Sequence, residues 1–215
     1  MDKEVLRGEK VPANPIPEVR YERFKYKLEE ISEKNCERNM MLFYLGVATG
    51  FRIQDICCLT IGEIKESLEC GEFTIQEQKQ YKAWQKYIKD HNNSKRKAPK
   101  KRTVLIKTSL RKLLRAYIKG KSKSEYAFKS SKGDSYITSK SYSNILSKVG
   151  MALNIENISG HSVRKTYATR IYNASRDIEF CRKALGHKSI ETTKRYLGLE
   201  SEVREESAQI ADDKL

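Results

Sequence analysis

The sequence predicts a mainly α-helical domain with one small antiparallel β-sheet, an α+β arrangement. Three observations predict it. Apolar residues recur at helical spacing through most of the chain. Around residues 73–77 and 103–106 that period gives way to alternation. The length, 215 residues, suffices for one sizeable core, or for one core with a small appendage.

Residues 1–16 are polar and contain Pro12 and Pro15, the pattern of a loose lead-in. Helical patterning starts near Pro17 and runs through Glu18–Lys34. Asn39–Ala48 is apolar nearly all round, as suits a core helix. Gly50 ends it, and a short helix follows with Ile53, Ile56 and Leu59 on one face. Phe73, Ile75 and, at its limit, Glu77 alternate with polar residues as a first strand, and Thr103–Ile106 is the second. Residues 80–102 between them hold nine Lys or Arg against one Asp, together with Tyr81, Trp84 and Tyr87. The segment is too long for a tight hairpin. It reads as a basic hairpin insertion, an extended tip or mobile loop whose aromatics either stack on bases or hold the segment on itself.

The remainder is helical. Ser109–Ile118 carries Leu110, Leu113, Leu114 and Tyr117, and Thr138–Leu153 carries Tyr142, Ile145, Leu146, Val149 and Leu153 at helix spacing. Helices near 161–175, 177–185 and 189–197 follow, then a tail helix near 200–211. One domain is therefore expected over 17–199, with 200–215 as a C-terminal tail.

Lys and Arg total 43 against 28 Asp and Glu, a formal charge of +15. Such a surplus points to a polyanionic partner, and nucleic acid leads, because each phosphate contact releases counterions. The chain opens on charged residues with no apolar run behind them, so no signal peptide is expected. Met40–Thr49, the longest apolar stretch, is too short to span a bilayer. Five cysteines contain no CxxC pair, which argues against zinc; an odd count without a framework suits a reducing cytoplasm.

Three segments carry chemistry. In Thr-Gly-Phe-Arg-Ile, residues 49–53, Gly50 permits a sharp turn and Arg52 follows at a helix start. In residues 160–169, His161 and Arg164 stand three apart and share a helix face. Val163, Tyr167, Ile171 and Ala174 form the adjoining apolar stripe, which puts His161 and Arg164 at the edge of the core, where an anion clamp can be held. In residues 185–196, His187 lies past a helix end at Gly186 and Tyr196 sits nine residues on. Tyr196 is one of twelve tyrosines, but two of the three histidines fall inside these segments.

Taken in order, TGFR, HSVRKTYAT and LGHKSIETTKRY resemble the Arg-I, His-x-x-Arg and His-to-Tyr boxes of the tyrosine recombinase, or phage integrase, family. The resemblance covers about residues 20–200 and implies that family's catalytic-domain fold. It implies that Tyr196 attacks a scissile phosphate to form a 3′-phosphotyrosyl link. Arg52 and Arg164 would grip the non-bridging oxygens, His161 would take or relay the tyrosine proton, and His187 would hydrogen-bond the phosphate. A hairpin lysine would protonate the leaving 5′-oxygen: Lys79, at the end of the first strand, with Lys82 and Lys86 as alternatives. No ATP, metal or other cofactor is expected, in keeping with the lack of a P-loop or a carboxylate metal cluster in the sequence.

The resemblance further implies double-stranded DNA as partner, a tetramer on paired DNA sites and a monomer without DNA, in a prokaryotic cytoplasm, associated with the nucleoid or a mobile element. Only about 16 residues precede the first core helix. The N-terminal clamp domain of most relatives is therefore expected to be absent, and the basic insertion to compensate. Leu199, Val203 and Ile210 could anchor the tail on a neighbour. Two other readings stay open on sequence grounds: a type IB topoisomerase-like enzyme, and a non-catalytic DNA-binding remnant.

Overall fold

A computed structural model describes residues 12–91 and 95–213, the side chains of residues 200–206 excepted. The helices are α1 (Tyr21–Ser32), α2 (Cys36–Thr49), α3 (Ile53–Cys57), α4 (Ile61–Cys70), α5 (Gln78–Asp90), α6 (Thr108–Tyr117), α7 (Ser139–Ala152), α8 (Gly160–Ser175), α9 (Ile178–Leu185), α10 (Ile190–Leu197) and α11 (Leu199–Asp212). The strands β1 (Glu72–Ile75) and β2 (Arg102–Leu105) pair antiparallel, with Phe73 opposite Val104 and Ile75 opposite Arg102.

The all-round apolar character of α2 is explained by its position. It packs against α1, α6 and α8, and Met40, Met41, Leu42, Phe43, Leu45 and Val47 are all buried. Each such side chain contributes about 1.5–3 kcal/mol when fully removed from water. Phe24 of α1 stacks on Phe43 at 5.7 Å, and Tyr142 of α7 closes the far side by donating to the Asn39 carbonyl at 2.8 Å. Gly46 lets α2 and α8 approach closely, since a Cβ there would stand 2.5 Å from Val163 Cγ1.

Four expectations are corrected. Residues 80–102 are no hairpin tip: α5 runs through their first half, to Asp90, and residues 95–101 return to β2. Trp84 donates to the Arg96 carbonyl at 2.8 Å, and the Arg96 guanidinium lies 4.7 Å from the Tyr87 ring centre, so these aromatics hold the segment on itself. Residues 12–16 are docked, not loose: Asn14 bonds to the Asn157 and Glu156 carbonyls, and the buried Ile16 donates its N–H to Thr166. Residues 1–11 lie outside those described.

The third correction is α4, absent from the sequence reading. Thr60 and Glu63 form a reciprocal capping box at its start, a sequence signal in the T-x-x-E form. The fourth concerns α8. Its buried face is Ser162, Val163, Arg164, Thr166 and Ala168, while Tyr167 and Ile171 are half-buried and Ala174 exposed. Arg170, next to Ile171 on this helix, pairs with Glu18 at 2.8 Å and covers the Tyr21 ring.

Candidate active site

The site begins where α2 stops. Gly50 closes that helix in the left-handed region, at φ 61° and ψ 20°, and its N–H reaches the Gly46 carbonyl at 2.8 Å. A side chain here would be strained, and its Cβ would stand 2.2 Å from the Tyr167 ring. The turn delivers Arg52 in extended conformation immediately before α3, where it forms an ion pair with Glu77.

Arg164 comes from the second turn of α8, whose start is fixed by a capping box between Ser159 and Ser162. It is only 2% exposed, so it lies inside the core and not at its edge as the sequence suggested. One nitrogen, Nη1, donates to the Gly50 carbonyl at 2.6 Å and to Glu77 Oε1 at 3.1 Å; Nη2 donates to the Leu185 carbonyl at 2.6 Å. A single guanidinium thereby ties together the α2–α3 corner, the segment after β1 and the end of α9. A planar, permanently charged fork suits that task better than an ammonium.

Two residues that sequence reasoning did not assign to the site complete this cluster. Glu77 was placed at the limit of the first strand; it lies beyond β1, is 3% exposed and bridges Arg52 and Arg164. Burial alone would raise its pKa, but the hydrogen bond from Arg52 and the charges of Arg164, Arg52 and Arg102 outweigh this and hold it below the ordinary range. Arg102, from β2, donates to the carbonyls of Ala184, Gly50 and Thr49 at 2.9, 3.1 and 2.6 Å. It satisfies carbonyls at the C-terminal ends of α2 and α9, which have no partner within their own helices.

His161 sits one turn before Arg164, with its edge open to solvent. The protein around the ring, then the cations Arg52, Lys79 and Arg164, keep its pKa below the ordinary value. His187 follows the left-handed Gly186 that closes α9, and its Nδ1 lies 3.1 Å from Thr193 Oγ1. Burial, helped by Arg164 and Arg52, lowers its pKa to about 4. Both rings are therefore neutral at pH 7.

Tyr196 stands in the last turn of α10, which Ser189 caps by accepting from the Thr192 N–H. Its ring meets that of His187 edge to face, with centres 5.3 Å apart. The hydroxyl is shielded from solvent and makes no well-aligned hydrogen bond. Burial raises its pKa, while the charges of Arg164 and Arg52 and a contact from Arg164 pull the other way.

Lys79 lies in the first turn of α5, past the strand whose end it was expected to occupy. With Arg52 it lines two cavities, one shared with His161 and Arg164, the other with His187 and Trp84. A third cavity is lined by His161 and Tyr196. Lys82 and Lys86 line none of these three. All six residues singled out in the sequence thus line three cavities that share Arg52, Lys79, His161 and Thr192 among them. Among the described residues, no group of three or more His, Cys, Asp or Glu side chains is placed to hold a metal ion. Nor is any described helix long and apolar enough to cross a membrane.

The phage integrase family profile matches residues 21–202. The chain belongs to the phage integrase family. A probable integrase/recombinase of Bacillus subtilis, YoeC, is 28% identical over 82% of this chain and 87% of its own length. Tyrosine recombinase XerA of Pyrococcus furiosus is 26% identical over 97% of this chain and 66% of its own. A crystal structure of the XerH site-specific recombinase bound to difH substrate superimposes with a TM-score of 0.61 at 23% identity, covering 87% of this chain and 50% of that one. This integrase-family chain thus spans nearly all of one relative and half to two thirds of the others. The likeness to XerH shows the fold: a mostly helical domain with a small antiparallel sheet.

Proposed function

We propose that this chain is a site-specific DNA recombinase that cleaves and rejoins DNA through a covalent bond between Tyr196 and a 3′-phosphate. The observation that carries it is the convergence of Tyr196, His161, His187 and Lys79 on a pair of arginines held in place by buried carbonyls and Glu77. Family membership and the names of the relatives support it and weigh against a type IB topoisomerase or a non-catalytic remnant.

Each group has a physical task. The Tyr196 oxygen attacks phosphorus, the Tyr–O–P bond forms, and the bond to the 5′-oxygen breaks. An ordinary tyrosine is only roughly 0.1% ionised at neutral pH, and burial makes this one harder to ionise. Its proton must therefore leave as the bond forms, and neutral His161 is a ready acceptor. Arg52 and Arg164 neutralise charge on the non-bridging oxygens, and a preorganised donor of this kind is worth roughly 100- to 1,000-fold in rate. His187 hydrogen-bonds the phosphate, and Lys79 gives its proton to the departing 5′-oxygen. The phosphotyrosyl link conserves the bond energy for rejoining, so the cycle consumes no ATP.

Double-stranded DNA is the partner, consistent with the +15 charge. XerH was captured in a pre-cleavage complex with its difH substrate, and the same kind of partner is proposed here, in the cytoplasm. The working assembly is a tetramer on paired sites that forms from monomers, with α11 docking on a neighbour. Leu199 is half-buried and Ile210 exposed in α11; the side chain of Val203, the third candidate anchor, lies outside those described.

The test is a covalent adduct. A library of nicked suicide duplexes drawn from the host replicon should yield a protein–DNA adduct, stable to denaturant, with the wild-type chain. The Tyr196→Phe variant should bind the same duplexes and yield none. Adduct formation by the Phe variant would remove the nucleophile assignment.

A further inference from the structure

The insertion between β1 and β2 begins beside Lys79, and beyond that residue it carries charges that the candidate active site does not use. Around α5, Lys79, Lys82, Lys86 and Lys89 fall at intervals of three, four and three residues. At 100° per residue they occupy a single narrow stripe along the helix. All four are exposed. Trp84 is on the opposite side, half-buried, and is tied to the returning chain through Arg96. The only acidic residue on α5 is Asp90, at its last position. A helix that needed merely to be soluble would gain from mixing both signs of charge at i, i+4. This one instead carries like charges three and four apart, which repel one another unless an anion lies along them.

The stripe also has a fixed start. Lys79 opens into the cavities around Arg52, and the inner edge of α5, through Ala83, Trp84 and Tyr87, walls one of them opposite His187 and Lys188. From Lys79 to Lys89 the stripe runs about 15 Å at 1.5 Å per residue. Phosphates on one strand recur about every 3.4 Å along the duplex axis, so this length matches about four steps of backbone.

We propose that α5 is a DNA-holding arm: Lys82, Lys86 and Lys89 lie along the phosphates that flank the scissile one, while Trp84, on the opposite side of the helix, holds the arm on its returning chain. The inference rests on the recombinase reading above and deepens it, by giving the insertion a defined share of the DNA contact. The arm extends the grip on the backbone outward from the reacting phosphate, and it does so without reading sequence, because phosphate contacts position the duplex and base contacts specify it.

Trp84 is the only tryptophan in the chain, so its emission reports whether α5 keeps its packing on the returning chain in each variant. The experiment uses the full chain carrying Tyr196→Phe and a random-sequence 30-base-pair duplex, with affinity measured by fluorescence anisotropy of labelled DNA across a salt series. The same protein is compared with Lys82→Gln, Lys86→Gln and Lys89→Gln combined. Glutamine keeps the helix propensity of lysine, and the three sites are exposed, so circular dichroism should be unchanged. On the proposal, the triple variant loses about 2.7 from the slope of log affinity against log salt, at about 0.9 per phosphate contact. A parent that binds duplex while the triple variant keeps the parent's salt slope overturns the arm and leaves the recombinase reading standing. A parent that binds no duplex at all overturns the recombinase reading, and the arm with it. Loss of binding to polyglutamate but not to duplex would reassign the stripe to an acidic protein partner and overturn the DNA arm.

Discussion

Buried guanidiniums of like charge need an anion among them, and in this chain Glu77 supplies it. Its carboxylate contacts Arg52 and Arg164, with Arg102 near enough to bias its pKa. Removing one partner of a buried ion pair typically costs about 3–5 kcal/mol, because the remaining charge is left uncompensated. Glu77→Gln keeps the shape and an acceptor oxygen but removes the charge, so a loss near 3 kcal/mol is expected, seen as a fall in Tm of roughly 6–12 °C. Thermal melting measures it. A short duplex should restore more of the loss in the variant than it adds to the parent, because a phosphate supplies the missing negative charge. A variant melting with the parent, with or without DNA, would show that the arginines need no such counter-charge. Glu77 could not be read from the sequence, because it owes its role to an arginine 87 positions away. Arg52, His161, Arg164, His187 and Tyr196 were legible since each sits in a compact motif at a helix end.

At the scale of elements, the corner between α2 and α3 is what aims Arg52. Gly50 combines a left-handed backbone with a place where any Cβ would overlap the Tyr167 ring. Gly50→Ala should therefore destabilise the fold by about 1–3 kcal/mol, from backbone strain and overpacking together. It should also slow cleavage by roughly 100-fold, the usual penalty for misplacing a catalytic group by about 1 Å. Single-turnover cleavage of a suicide duplex, at a temperature where circular dichroism shows the variant folded, checks both. Unaltered cleavage would mean that Arg52 is aimed by Glu77 and not by the turn. The elements that sequence patterning located well are those with an apolar face against another core helix, such as α6 on α2 and α7 on α1. The one it missed outright, α4, has Ile61, Ile64 and Leu68 buried at helical spacing and a capping box before them, so the signal was present. Helix α5 was hidden for a different reason. It buries none of its residues, and what repeats along it at helical spacing is lysine. Patterns of burial find helices that face a core, and α5 faces its own return segment and solvent.

For the whole molecule, the candidate active site imposes a pH dependence on stability. His161 and His187 both have pKa values depressed in the folded state, His187 to about 4 against 6.5 when unperturbed. Between those two values the unfolded chain binds a proton at His187 that the folded chain refuses. Stability therefore rises with pH across that window: it is fully present above about 6.5 and is lost as pH falls toward 4. The formal charge of +15 acts in the same direction, since protonating carboxylates adds to self-repulsion. Melting temperature without DNA should fall on going from pH 7.5 to 5, and the fall should be smaller in His187→Asn, which has no proton to take up. Bound duplex should shrink it in the parent as well. A phosphate beside the two rings opposes the arginine charges that help depress them, raising their pKa values so that the complex accepts the protons the free protein refuses. Duplex binding below pH 6.5 should accordingly be accompanied by proton uptake, measurable as a buffer-dependent heat in titration calorimetry. The absence of both the uptake and the protection would place the DNA phosphate away from His187, and with it away from Tyr196, whose ring touches that histidine edge to face.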